Sequence, residues 1–237
     1  MITLPKTWNE LTYHVFLESL ENIQDKNHAL FSSSLIFTKY PILGIKNPYL
    51  KSIAKEINKT KKEDFLKVVD NRYYETVLLK GLIITSIEDV KTFTKYYEEY
   101  MYTLDNWALT DTTIHSNIKV IKKNKEYFFK KAKEYIKDDH EYVVRIGILL
   151  FMKYYLTDET IDEVLTLINQ IKKEEYYINM AIAWCICDAF IKQRKKTIIF
   201  LQDNQLNKFT QNKAISKIRD SYRVSKEDKE EILMYKK

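Results

Sequence analysis

Glycine and proline are scarce, at three of each in 237 residues. From residue 49 onward there is no proline, and only Gly81 and Gly147 remain. β-Rich and α/β folds need Gly, Asn and Pro at many tight turns, so this poverty points to a chain that is helical throughout. Runs of the roughly 20 apolar residues needed to cross a bilayer are missing. The opening MITLPKTWNELTYHVF lacks the charged, apolar, small-residue order of a secretory signal, and the expectation is a cytoplasmic protein with no membrane contact. Cysteine is limited to Cys185 and Cys187 in WCICD. Two apart on a helix, they point to different sides and are poorly placed to share a metal or a disulfide, so they read as small buried hydrophobes.

Several catalytic signatures are absent too. There is no Gly-rich phosphate loop, no His-Glu zinc helix and no nucleophile elbow. The four histidines (His14, His28, His115 and His140) have no ligand spacing. Any chemistry is therefore expected to need no metal, no cofactor and no activated serine or thiol.

What remains is an ordinary globular composition, 45% hydrophobic and 30% charged, with a net charge of +6. Capping-box patterns stand at Thr7 to Glu10, Thr60 to Glu63, Ser86 to Asp89, Thr160 to Glu163 and Ser225 to Asp228. Between them run amphipathic or apolar segments such as YYETVLLKGLIITSI, YVVRIGILLFMKYYL, IDEVLTLINQI and YINMAIAWCICDAFI. None alternates with period two, so no sheet is predicted.

Three late segments resemble one another: EYVVRIGILLFMKYY, EYYINMAIAWCICDAF and KFTQNKAISKIRDSY. Their alignment sets Arg145 against Met180 and Lys213, and one more step of similar length backward from Arg145 reaches Asp111. A period in the mid-thirties with two helices per unit is the mark of an α-solenoid, and the loose match suits HEAT-like repeats. The expected fold is an all-α superhelix of about six such repeats with a concave basic groove, forming one domain over residues 1–237. Equivalent positions line one surface, so Asp111, Arg145, Met180 and Lys213 form a row. Trp107 and Trp184 stand four residues from Asp111 and Met180. Taken singly, each has an unremarkable reading: indoles in the core, a solvated or capping aspartate, an arginine reaching water or pairing with a carboxylate. Their coincidence on one row favours a site. Basic residues cluster at Lys122, Lys123 and Lys125, at Lys130, Lys131 and Lys133, and at Lys192, Arg194, Lys195 and Lys196. Each cluster is either a solvated helix end or part of a stripe that tracks a phosphate backbone.

PILGIKNPYLKSIAKEI, NWALTD, YVVRIGILL and NMAIAWCICDAFIK resemble the DNA alkylation repair family of AlkD-like HEAT-repeat DNA glycosylases, over about residues 15 to 224. The resemblance implies hydrolysis of the N-glycosidic bond of N3- and N7-alkylated purines in double-stranded DNA by a monomer. It places the site on Trp107, Asp111, Arg145 and Trp184: Asp111 facing the forming sugar cation, the two indoles facing the cationic nucleoside, Arg145 on a phosphate. Lys192, Arg194 and Lys213 would add phosphate contacts. Two departures stand out. Asn106 and Ala108 flank Trp107 where the family often has a second Trp and an acid, and Asp188 follows Trp184 where an Arg is usual. The same basic stripe also fits a non-catalytic helical-repeat protein that binds distorted or branched DNA, which gives Asp111 no purpose. A protein-interaction scaffold would instead predict a neutral or acidic groove.

Overall fold

The computed structural model describes residues 2–116 and 118–237, and among these only helices occur, as the missing turn residues and the 3.6-residue periodicity require. None of them is long and apolar enough to cross a membrane. The chain divides into two compact units, one ending at Lys123 and the other beginning at Asn124.

The first unit holds α1 (Glu10–Asn22), α2 (Lys26–Leu35), α3 (Asn47–Ile57), α4 (Lys62–Val68), α5 (Tyr74–Ile84), α6 (Val90–Met101), α7 (Trp107–Ile114) and α8 (Lys119–Lys123). Its centre is α5. Helices α3, α4, α6 and α7 all pack on it, and every residue of α5 except Lys80 is buried. A helix that is apolar all round needs neighbours all round, which is why this segment lacks a polar face. Gly81 permits the close approach: a Cβ there would stand 2.4 Å from the Tyr100 hydroxyl of α6 and 2.5 Å from a methyl of Thr113 on α7.

The second unit holds α9 (Lys125–Tyr135), α10 (Glu141–Tyr154), α11 (Ile161–Asn169), α12 (Tyr176–Lys192), α13 (Arg194–Gln202), α14 (Lys208–Asp220), α15 (Lys226–Glu231) and a 3-10 turn at Ile232–Tyr235. Helices α10, α12 and α14 pack in that order, with α9 on α10 and α13 on both α11 and α12. These three stacked helices are the three segments that resemble one another in sequence. Every second helix packing on its counterpart is the construction of an α-solenoid repeat. In α10 every residue but Glu141 and Lys153 is buried.

Helix starts follow the sequence less closely. Ser225 caps α15, accepting from the Asp228 N–H at 3.1 Å, as its pattern predicts. Thr160 precedes α11, but its hydroxyl donates to the Tyr155 carbonyl. Helix α1 is capped by Asn9, in a reciprocal box with Thr12, rather than by Thr7. Helix α6 is capped by Asp89, and α4 has Lys61 at its N-cap, one residue after the expected Thr60. At the last two sites tertiary bonds take the hydroxyl. Ser86 donates to Asn58 Oδ1 at 2.7 Å, and Thr60 accepts from Trp8 Nε1 at 2.8 Å. Cys185 and Cys187 are free and buried, as expected for small hydrophobes; burial pushes the Cys185 thiol up to about 12 and the Cys187 thiol to about 11.

Candidate active site and nucleic-acid interface

Trp107 and Asp111 occupy successive turns of α7, and both line one open cleft of about 410 Å³ in the first unit. Its other walls come from His28 and Ser32 of α2, Ile36 just after it, Ile42, Ile45 and Lys46 of the following loop, and Tyr74 and Glu75 of α5. Trp107 and Asp111 are half-buried, so the indole and the carboxylate are both reached from solvent.

The start of α7 is fixed by short-range and long-range bonds together. Asn106 is the N-cap, its side-chain oxygen accepting from the Ala108 and Leu109 N–H groups at 3.0 Å each. Its amide donates to Asp105 Oδ1 at 2.8 Å. The Asp105 carboxylate also takes the Thr38 hydroxyl at 2.9 Å and the Lys39 N–H at 2.7 Å. Trp107 Nε1 points to the Leu35 carbonyl at 3.4 Å. Asn106 and Ala108, the two departures beside the first indole, thus carry the geometry of the helix start: one caps it and the other is buried beneath it.

The opposite wall is held by Glu75. Its carboxylate, 1% exposed, accepts from the N–H groups of Leu43, Gly44 and Ile45 at 3.0, 2.8 and 3.1 Å. Burial raises its pKa above the ordinary glutamate value, and the three backbone donors pull it part of the way back. Glu75 therefore braces the loop that presents Ile45 and Lys46 to the cleft. Glu75→Gln keeps one acceptor oxygen and turns an NH2 toward those donors. It is expected to lower stability by about 1 to 3 kcal/mol, read as a reduced denaturant midpoint at unchanged slope.

The second unit carries the other residues singled out in the sequence. Trp184 on α12 is half-buried, and Lys217 Nζ of α14 lies 5.9 Å from its ring centroid, within cation–π range. One turn along α12, Asp188 accepts from Arg223 Nη2 at 2.7 Å, so its charge is paired. Arg145 is only 4% exposed and donates to the Tyr177 carbonyl at 2.8 Å, while Glu141 accepts from the Tyr177 N–H at 2.9 Å. Together they fasten the first turn of α12 to α10. Lys192 donates to the Met152 carbonyl at 3.1 Å, and Arg194 pairs with Asp228 and Glu231. Lys213 is half-buried on α14, one turn before Lys217.

The structure thus brings Trp107 and Asp111 to one cleft. It shows Arg145, Lys192 and Arg194 already hydrogen-bonded within the protein. Sequence reading missed Glu75, Asp105, Lys217 and Arg223. Only Lys217 had a signal, since the 33-residue step from Met180 to Lys213 also carries Trp184 onto it.

A family model described as DNA alkylation repair enzyme matches residues 16–218. No curated protein matches the chain. With the match running from within α1 to within α14, both compact units included, the chain belongs to the DNA alkylation repair enzyme family.

Proposed function

We propose that the protein is a monofunctional DNA glycosylase that hydrolyses the N-glycosidic bond of N3- and N7-alkylated purines in duplex DNA. In this reading residues 1–237 act as one domain and as a cytoplasmic monomer, without metal or cofactor. The observation that carries it is the cleft of α7, where an indole and a carboxylate stand one turn apart on a wall open to solvent.

An N3- or N7-alkylated purine is a cation, and it leaves with the bonding electrons as a neutral base. Protonation by a strong general acid is not required. Positive charge passes to the sugar, giving the oxocarbenium-like species familiar from glycoside hydrolysis. The Asp111 carboxylate faces that charge, orients a water toward C1′ and takes its proton as the new C–O bond forms. The products are free base and an abasic site, with the strand intact. Trp107 offers its ring face to the cationic nucleoside, a contact worth about 0.5 to 2 kcal/mol. The resemblance assigns Trp184 the second aromatic face. Lys213 adds positive charge for the phosphates, and Arg145, Lys192 and Arg194, which this reading also puts on phosphates, would have to exchange their bonds to Tyr177, Met152, Asp228 and Glu231 for them.

Release of 7-methylguanine or 3-methyladenine from methylated duplex DNA, compared between wild type and Asp111→Asn, is the test. Wild-type protein that binds this DNA and frees no base would leave the non-catalytic DNA-binding reading in its place.

The pairing of Asp188 by Arg223 has its own consequence. Arg223→Ala removes a cation and bares a carboxylate one turn from Trp184. Binding to undamaged duplex at low salt is expected to weaken by about three- to tenfold, with a shallower salt dependence. Fluorescence anisotropy across a salt series reads both, and an unchanged Kd would place this face away from DNA.

A further inference from the structure

His28 and Ser32 of α2, with Lys46 and Asn47 at the start of α3, line the cleft of Trp107 and Asp111. Among the described residues, the side chains of these four make no hydrogen bond or ion pair within the protein. The second unit differs, because Arg145, Lys192 and Arg194 there are already bonded. Lys46 and Asn47 are exposed and His28 is half-buried, so solvent reaches all three.

Backbone contacts bring His28 and Lys46 to the same rim. The first turn of α2 sits on Gly44, two residues before Lys46. The Asp25 N–H donates to the Leu43 carbonyl at 2.9 Å. The missing Cβ of Gly44 admits the Asp25 carbonyl and the Ala29 nitrogen, which stand on either side of His28 in the chain. Glu75 holds the same loop from α5. The His28 ring stacks on that of Phe31, with centroids 6.1 Å apart and planes at 21°, which orients the imidazole. The charged and titratable groups around it come from every wall. On α2 itself stand Lys26 and Asp25, whose carboxylate accepts the His28 N–H at 3.0 Å as the helix cap. The loop supplies Lys46, and α7 supplies Asp111. From α5 come Glu75, engaged by three N–H groups, and Tyr74, whose phenol burial pushes far above its ordinary pKa.

We infer that His28 and Lys46 form a phosphate subsite of this cleft, and that His28 takes up a proton as a DNA backbone phosphate binds there. The inference rests on reading the cleft as a DNA site. A nucleotide that brings its sugar to Asp111 brings its phosphates with it, and cations on the facing wall offset the repulsion from that carboxylate. An imidazolium donates a charge-assisted hydrogen bond to a phosphate oxygen, and Lys46 adds a point charge on a flexible stem. Histidine is the side chain whose charge changes between pH 5 and 8. The grip on the strand is thereby linked to pH and tightens as pH falls from 8 to 6.

The test measures binding to a duplex that carries a tetrahydrofuran abasic-site analogue, by fluorescence anisotropy across a salt series at pH 6 and at pH 8. Each phosphate met by a cation adds about 0.9 to the slope of log Kd against log salt. Wild type is expected to show a slope steeper at pH 6 than at pH 8 by about that amount. His28→Gln should remove the difference and weaken binding at pH 6 by about three- to tenfold. His28→Lys should give the steep slope at both pH values, a rescue that a folding defect does not produce. Lys46→Gln should lower the slope by about 0.9 at both. A wild-type slope that is the same at pH 6 and pH 8 overturns the inference. A pH-dependent slope that persists in His28→Gln also overturns it, by assigning the proton to another group. Because this duplex carries nothing to excise, failure of wild type to release alkylated base would remove the glycosylase reading and leave the subsite standing. Base release together with a slope indifferent to pH would remove the subsite alone.

Discussion

Asp111→Asn is expected to slow release of 7-methylguanine from methylated duplex by about 10²- to 10³-fold under single-turnover conditions. The amide is nearly isosteric with the carboxylate and leaves Asn106 capping α7 as before. In the proposed reaction, what disappears is a fixed negative charge beside a sugar that becomes positive only as the bond breaks. Losing one preorganised group aimed at transition-state charge costs about 3 to 4 kcal/mol. The same substitution removes a negative charge from the surface proposed to meet a polyanion, so affinity for undamaged duplex should hold or rise. The two readouts separate the roles. A large fall in rate with undiminished binding marks Asp111 as catalytic, and parallel losses in rate and affinity would mark it as a binding group.

Gly44→Ala is expected to have the largest effect on stability. Gly44 has φ of 86°, in the left-handed region that L side chains rarely adopt. A Cβ there would also meet the Asp25 carbonyl oxygen at 2.1 Å and the Ala29 nitrogen at 2.7 Å. Both are backbone atoms at the start of α2, held by hydrogen bonds of their own. The Ala29 N–H donates to the Asp25 carbonyl, and the Asp25 N–H donates to the Leu43 carbonyl. No rotamer change relieves such an overlap, so the loop and the helix start must separate. Conformational strain of about 1 to 2 kcal/mol and overpacking of about 1 to 3 kcal/mol together predict a loss of about 2 to 5 kcal/mol. For a domain of this size that is a fall in thermal midpoint of roughly 5 to 15 °C. The disturbance reaches the site as well, since the same loop carries the Ile45 and Lys46 wall of the cleft. A midpoint within a degree or so of wild type would show that the loop yields far more easily than its bonds imply.

The helical class was legible because it depends on local facts: scarce turn residues and a 3.6-residue apolar period. The stacking of α10, α12 and α14 was legible because a repeat writes its tertiary contacts as self-similarity. Trp107 and Asp111 could be paired because i and i+4 share a helix face wherever the helix goes. The rest depended on partners far along the chain. Nothing near Ser86 says that its hydroxyl bonds Asn58 and leaves Asp89 to cap α6. The lone acid in YYETVLLKG gives no sign that three N–H groups some thirty residues earlier close on it. Asp105, next to the most conspicuous motif in the sequence, went unremarked because its donors lie at Thr38 and Lys39. The burial of Arg145 against Tyr177 could not be read from its apolar neighbours alone.

The two cysteines acquire a meaning from the company this protein keeps. Reagents that methylate purines are electrophiles, and the protein nucleophile they find most readily is a thiolate. Cys185 and Cys187 are the only thiols in the chain, both are buried, and both hold their protons well above neutral pH. A member of an alkylation repair family built this way offers an alkylating agent almost no thiolate to attack.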